Sequence, residues 1–305
     1  MTASRSPHGR DSQSIGRSTG RWSQDRRLEF IDFRLRWDGR LNRSDLTDFF
    51  GISVPQASLD IAKYLERAPG NLDYDRSSKV YLANESFQPL FSSSDISRYL
   101  NDLLARASGL ETGDSSFLAW APPVATVPSP GRTFSVEVLV ALLRAIREGL
   151  ALKVVYQSMT RPQPSARTLS PHAVAHDGFR WHTRAYCHSR KQFRDFVIAR
   201  MLKVEGFDSA GAKPEDDREW SNIVPLVLAP HPKLSESHRR AIELDYGMQQ
   251  GKVEFHCRQA FLFYALRHLR LDAESLAKPE AQQIVLANRA VVDEYWQPAS
   301  AQLGA

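Results

Sequence analysis

The chain has 305 residues, too many for one ordinary core and enough for two or three domains of about 100 residues each. Its 42% hydrophobic, 25% charged and 10% aromatic residues make a soluble globular composition, and no run of about 18 apolar residues is present that could cross a bilayer. Forty Lys and Arg against 35 Asp and Glu leave a formal charge of +5, which accommodates a nucleic-acid partner without singling one out.

Met1 to Gly20 is Ser, Arg and Gly with almost nothing apolar. It lacks the apolar centre of a secretory leader and the means to offset its own ordering entropy, so a disordered basic tail over residues 1–20 is expected. The expected compartment is the cytoplasm, with no membrane partner. Cys187 and Cys257 have neither the number nor the spacing of a disulfide framework or a zinc knuckle, and both are expected to be reduced and buried.

Residues 23–37 place Leu28, Ile31 and Leu35, and beside them Phe30, Phe33 and Trp37, on neighbouring faces of a first helix. Asp38-Gly39 ends it, and Ser44 is expected to cap a second helix with Leu46, Phe49 and Phe50 on its apolar side. Gly51 forces a turn. Ser53 and Pro55 then open a third helix, with Ala57, Leu59, Ile61, Ala62 and Leu65 expected to face inward. Residues 70–82 read as a two-stranded hairpin, so the order is helix, tight turn, helix and wing.

An amphipathic helix from Ser94 to Ala107 follows, then a Gly/Ser stretch and prolines at 122, 123, 128 and 130 that mark a linker. A helix over Phe134–Glu148, with Val138, Leu142 and Ile146 at helical spacing, is closed by Gly149. Beyond it LKVVYQS, GFRWHTRAYCH and QFRDFVIAR read as strands of a small barrel or curled sheet. The remainder alternates strand, helix, strand and helix from Ile223 to Leu269, with a less regular tail.

The third helix must present short or polar side chains to a DNA groove while its other side packs. Ser53, Gln56, Ser58, Asp60, Lys63 and Tyr64 fit that face, with Gln56 suited to an adenine edge. Arg43, Lys63, Arg76 and Lys79 suit phosphates.

Residues 151–204 hold ten Lys or Arg and only Asp177 and Asp195 as acids, a local charge of +8, together with His172, His176, His182 and His188. Arg180, His182 and Arg184 alternate, which puts them on one face of a strand. Planar guanidinium groups beside neutral imidazoles suit a phosphate, so a nucleotide or an oligonucleotide end is the expected ligand class.

The residues Tyr156-Gln157-Ser158, Ser170-Pro171-His172, Arg180-Trp181-His182-Thr183-Arg184-Ala185-Tyr186-Cys187 and Phe193-Arg194-Asp195-Phe196 through Arg200 resemble a WYL domain. The Trp-Tyr-Leu triplet of that family falls on Trp181, His182 and Thr183, so only its Trp is kept. The His version, followed by Arg-Ala-Tyr-Cys, is similar to WYL repressors encoded beside phage-defence systems such as BREX and CBASS. The resemblance implies an α+β architecture: an N-terminal winged helix-turn-helix, a central Sm- or SH3-like barrel and a small α/β C-terminal dimerisation module. It also implies repression relieved by an infection-linked ligand, and a pocket including Tyr156, Ser158, His172, His182, Arg184, Arg194 and Arg200, with Trp181 and Phe196 packing beneath.

The expected divisions are residues 21–90 for DNA binding, 91–133 as helical linker, 134–208 for the sensor and 209–305 for dimerisation. No P-loop, HExxH, GxSxG or dinucleotide fingerprint occurs, and Ser158 with His172 or His182 has no defined carboxylate to orient it. No catalytic residue, metal ligand or cofactor is assigned. The expectation is a homodimeric repressor on an inverted-repeat double-stranded operator, responsive to a nucleotide or single-stranded nucleic acid. An activator of the same architecture and a nucleic-acid-processing enzyme are the alternatives.

Overall fold

The computed structural model describes residues 15–92, 95–109, 116–128, 130–272, 278–279 and 281–296. Two compact units divide the chain, one ending at Pro128 and the other beginning at Ser129. Of the expected tail, residues 1–14 lie outside the described residues. Ile15–Gly20 instead belong to the first helix, α1 (Ile15–Asp38).

In the first unit α1 is followed by β1 (Arg40–Leu41), α2 (Arg43–Phe50), α3 (Val54–Arg67), β2 (Leu72–Asp75), β3 (Val80–Ala83) and α4 (Ile96–Ala107). Leu28, Phe30, Ile31, Phe33 and Leu35 of α1 are buried together with Leu46, Ala57, Ile61 and Tyr64 of α2 and α3. Phe117, in the segment expected to be linker, is buried in this same core with its ring 5.2 Å from Phe30. The cap of α2 is Asn42 rather than Ser44. The Asn42 backbone N–H donates to Asp45 Oδ2 at 2.6 Å, a reciprocal cap that places Ser44 inside the first turn. Gly51 ends α2 in the left-handed region at φ 63°, where a side chain would be strained, and Ser53 Oγ accepts from the Gln56 backbone N–H to start α3. The β2–β3 hairpin pairs antiparallel and β1 adds to its other edge.

In the second unit α5 (Val136–Glu148) precedes β4 (Leu150–Tyr156), β5 (Ser165–His176), β6 (Trp181–Cys187), β7 (Gln192–Val197) and β8 (Met201–Ser209). These strands form an antiparallel sheet in the order β7-β6-β5-β4-β8. Among the described residues β7 and β8 do not pair, so the sheet is open where a closed barrel was expected. Two strands of this sheet are not marked in the sequence, β5 and β8. Pro171 stands inside β5, where proline argues against a strand, and it is tolerated because the register with β6 shifts between Pro171 and Ala173. Val138, Leu142 and Ala145 of α5 pack on Leu152, Val154, Leu169, Ala185 and Phe196 on one face of the sheet.

The chain then runs through α6 (Arg218–Ser221) into β9 (Ile223–Pro230), α7 (Glu236–Asp245), β10 (Val253–Arg258), α8 (Leu262–His268), β11 (Ile284–Leu286) and α9 (Arg289–Asp293). Strand β9 lies between β10 and β11, all antiparallel. Its Val224, Leu226 and Leu228 alternate into a core with Leu262, Leu266 and Ile284. Cys187 is buried and Cys257 is half-buried, both as free thiols.

Candidate nucleic-acid interface and ligand face

Helix α3 turns one face to α1 and the opposite face outward. The outward face carries Val54, Leu59, Ala62, Lys63 and Glu66, and Leu59 is 63% exposed. This corrects the expected faces: Leu59 and Ala62 point away from the core, while Asp60 and Tyr64 are fully buried within it. The cause is polar pairing with α1. Asp60 accepts from Arg27 Nε at 2.5 Å and Nη2 at 3.1 Å, and the Tyr64 hydroxyl donates to Asp32 Oδ1 at 2.6 Å. Asn71 Nδ2 donates to that same hydroxyl at 2.9 Å. Burial, then the hydrogen bond to Asp32, raises the Tyr64 pKa, so the phenol stays protonated. Tyr64 is therefore a core strut and not a DNA contact.

The other candidates on this unit remain at the surface. Ser53 is exposed and spends its oxygen on the α3 cap; Ser58 is half-buried, its hydroxyl donating to the Val54 carbonyl at 3.0 Å. Gln56 is half-buried and donates to Asp60 Oδ1 at 3.1 Å. Lys63 is exposed, 2.7 Å from Glu66. At the wing, Arg76 and Lys79 are exposed on the hairpin turn, where Asp75 accepts from Ser77 and Ser78 and Lys79 takes φ 58°. Arg43 lies over the Tyr81 ring at 5.7 Å and donates to the Tyr81 hydroxyl at 2.9 Å. The base of α2 is thus tied to the wing. The arrangement offers a helix with an exposed, mostly uncharged stripe flanked by cations, which is what a groove-reading helix between phosphate rows requires.

The seven residues expected to form one ligand pocket divide into separate places. His172, His182 and Arg184 do come together, on the sheet face opposite α5, but that face is covered by acids from further along the chain. Arg184 is 2% exposed, and it donates to Asp217 at 2.7 and 3.0 Å, to Glu219 at 2.7 Å and to Asp195 at 3.3 Å. His172 Nε2 lies 3.0 Å from Asp217 Oδ2. Burial works to raise the Asp217 pKa, but the hydrogen bonds from His172 and Arg184 outweigh it and hold the carboxyl well below the usual range. Burial raises Asp195, which accepts from Tyr264 of α8 at 3.2 Å. The window of +8 over residues 151–204 stopped short of the two acids that neutralise its central arginine.

His182 Nε2 lies 2.8 Å from Asp177 Oδ2, and burial lowers the imidazole's pKa despite that partner. It is held neutral. Asp177, although burial raises it, is held at about 2 by the bonds from His182 and from the Phe179 and Arg180 backbone N–H groups. Ser158 is buried in the loop after β4, where its Oγ accepts from the Thr160 and Arg161 backbone N–H groups at 3.2 and 3.1 Å. Tyr156 is buried on the α5 side against Phe196, its hydroxyl accepting from the Val197 backbone N–H, with Arg200 beside it. Arg194 is half-buried near Arg190, Arg167 and Cys187. Burial first, then those two like charges, lowers its pKa. Trp181, expected beneath the pocket, is 49% exposed, whereas Phe196 is buried as expected.

Arg167 of β5, one of the ten basic residues of the 151–204 stretch but not among the seven expected at the pocket, is 7% exposed. It lies in the same local charge set as Arg190 and Arg194, and the unread strand hid it. Among the described residues no group of three or more His, Cys, Asp or Glu is arranged to hold a metal ion. None of their helices is long and apolar enough to cross a membrane.

Three family models match the chain: the BrxR transcriptional regulator winged helix-turn-helix domain over residues 23–105, the WYL domain over 137–205, and the BrxR transcriptional regulator C-terminal dimerization domain over 223–292. The DNA-binding transcriptional repressor CapW of Escherichia coli (strain KTE188) is 49% identical over 280 residues, covering 92% of this chain and 93% of that protein. CapW of Pseudomonas aeruginosa is 48% identical, covering 95% and 97%, and CapW of Stenotrophomonas maltophilia is 47% identical, covering 93% and 95%. With identity near one half over nearly the whole length of each relative, and with the winged-helix, WYL and C-terminal dimerization models all matching along it, this chain belongs to the CapW family of BrxR-type WYL regulators.

Proposed function

We propose that the protein is a ligand-responsive, DNA-binding transcriptional repressor that works as a homodimer on an inverted-repeat operator and controls a phage-defence operon. The observation that carries the DNA half of this reading is the outward face of α3, with Leu59 at 63% exposure between Val54 and Lys63, beside a wing that exposes Arg76 and Lys79. An exposed leucine on a reading helix suits the methyl group of thymine, and Gln56 and Ser58 suit base edges. Arg43, Lys63, Arg76 and Lys79 contact phosphates, and Ser53 positions the helix by capping it. The names of the relatives, DNA-binding transcriptional repressors, support the same assignment.

The match of the C-terminal segment to a dimerization domain supports the homodimer, and a two-fold protein is served most simply by a palindromic site. For the sensor half, the five-stranded order with a single 3₁₀ turn (Ile198–Arg200) joining its edge strands is read as an Sm- or SH3-like sheet rolled short of closure. The ligand is a nucleotide or single-stranded nucleic acid. What supports it is the concentration of arginines on the α5 side of the sheet, where Arg194 and Arg200 stand near Arg167 and Tyr156. A ligand there regulates only by binding the DNA-competent and DNA-released states with different affinity. The protein carries out no reaction in this scheme and needs no cofactor.

Footprinting on the DNA upstream of its own gene tests the proposal. Two protected half-sites separated centre to centre by about 10–10.5 base pairs, or a multiple of that, are expected. Uniform protection without half-sites would contradict it.

A further inference from the structure

Helix α4 is fixed to the first unit along one side. Its Tyr99 ring stacks on Trp37 of α1 with centroids 4.4 Å apart and planes at 21°, and the Arg98 guanidinium lies over the Phe117 ring at 4.4 Å. Leu103 is buried, and Asp102 accepts from the Ser116 hydroxyl at 3.1 Å. Tyr99, Trp37 and Phe117 belong to the same core as Ala57, Ile61 and Tyr64 of α3, so whatever holds α4 also holds the helix offered to DNA.

Away from that core α4 presents an apolar row to solvent. Ile96, Leu100 and Leu104 are 55%, 57% and 51% exposed, and their i, i+4, i+8 spacing aligns them along one side of the helix. The helical repeat carries the charged residues Arg98, Asp102 and Arg106 to the far side, while Ser97 and Asn101, which flank the row, are uncharged. A single exposed leucine is ordinary, but a row of large aliphatic side chains cleared of charge has the composition of an interface centre.

Symmetry and magnitude select the occupant. Leu100 is the middle residue of the row, so a second α4 laid antiparallel sets Leu100 against the partner's Leu100 and Ile96 against the partner's Leu104. Every apolar position of both copies is then covered, and the two helix dipoles oppose each other. Three half-exposed side chains fall far short of the roughly 20–30 residues a side of a freestanding interface. The row can therefore pair only with a copy already tethered nearby, and the match of residues 223–292 to a dimerization domain supports such a tether. We propose that α4 pairs antiparallel with α4 of a second copy, with Leu100 at the two-fold axis, as a further dimer contact that sets the separation of the two α3 helices on DNA. The assignment rests on the homodimer proposed above.

Oxidative crosslinking of the full chain in a Cys257→Ser background, which leaves only the buried Cys187, tests the pairing. Facing positions on packed helices come within disulfide reach, whereas position 96 stands about 12 Å along the axis from the same position of the partner. Leu100→Cys is accordingly expected to crosslink about fivefold or more above Ile96→Cys. The two sites are almost equally exposed, so random collision would crosslink both alike. Leu100→Asp is expected to keep the melting temperature and the dimer mass while lowering the preference for a two-half-site operator over a single half-site by about tenfold or more. A dimer by sedimentation in which Leu100→Cys crosslinks no better than Ile96→Cys overturns the α4 pairing and leaves the homodimer standing. An unchanged operator preference in Leu100→Asp overturns its role on DNA. A wild-type monomer overturns the homodimer and the pairing together. Shielding of Leu100→Cys from a soluble maleimide with no crosslink shows that something other than a second α4 covers the row, and it too overturns the pairing.

Discussion

Arg184 and Asp217 form a bidentate pair, Nε to Oδ2 at 2.7 Å and Nη2 to Oδ1 at 3.0 Å, that joins strand β6 to the segment leading into the C-terminal module. Both side chains are almost fully buried, at 2% and 1% exposure, and His172, Asp195 and Glu219 complete the cluster. Removing the arginine strands two buried carboxylates. Arg184→Ala is therefore expected to destabilise the protein by about 3–5 kcal/mol, with Arg184→Met combined with Asp217→Leu costing less than Arg184→Ala alone. Urea unfolding near neutral pH measures this. A cost under about 1 kcal/mol for Arg184→Ala would mean that the cluster is solvated and contributes little.

Tyr64 and Lys63 are neighbours in sequence with opposite expected effects. Tyr64→Phe removes the donor to Asp32 and the acceptor for Asn71, which should cost about 1–3 kcal/mol of stability and leave the salt dependence of DNA binding unchanged. Lys63→Ala should leave stability within about 0.5 kcal/mol and lower the slope of log affinity against log salt by about one. Denaturant melts and salt titrations of operator binding separate the two. An unaltered slope in Lys63→Ala would remove that side chain from the phosphate contacts.

Acid sensitivity follows from Asp177 and His182. Asp177 is held at about 2 in the folded protein, against about 3.9 unfolded. Its stabilisation is complete above about pH 4 and is lost as the pH falls toward 2. The His182 pKa is lowered by burial, so the unfolded chain binds the proton first, and stability is lost as the pH falls below about 6.5. Asp195, raised by burial, acts in the opposite sense and loses stability as the pH rises from about 4 toward its folded value. Asp177→Asn should be less stable than wild type at neutral pH, with the gap narrowing below about pH 4. Urea midpoints across a pH series measure it. A gap that stays constant to pH 2 would show that the carboxylate's charge is not what stabilises the turn.

What the sequence made legible was local. The apolar spacing in residues 28–37 marked the buried side of α1, and Gly51 with Ser53 marked the turn and the α3 cap, because these depend on neighbours a few residues away. On α3 a leucine reads as core and an aspartate as surface. The reverse holds at Leu59 and Asp60 because Arg27, 33 residues earlier, pairs the carboxylate. The alternation of His182 and Arg184 put both on one face, as found. That this face is filled by Asp217 and Glu219 depends on a contact spanning more than 30 residues, which no periodicity records. Arg167 was hidden for another reason: Pro171 four positions on disguised its strand, and the bulge that accommodates the proline is visible only in the pairing register.

The central claim is that the outward face of α3 reads base sequence. The most direct test is the ratio of affinities for the upstream DNA and a scrambled duplex, at one fixed salt concentration, for wild type and Leu59→Ala. A wild-type ratio of about 10³ or more is expected, reduced by about five- to a hundredfold in Leu59→Ala with its melting temperature unchanged, since Leu59 is 63% exposed and supports no core. A wild-type ratio near one, or an identical ratio in the variant, would contradict the account.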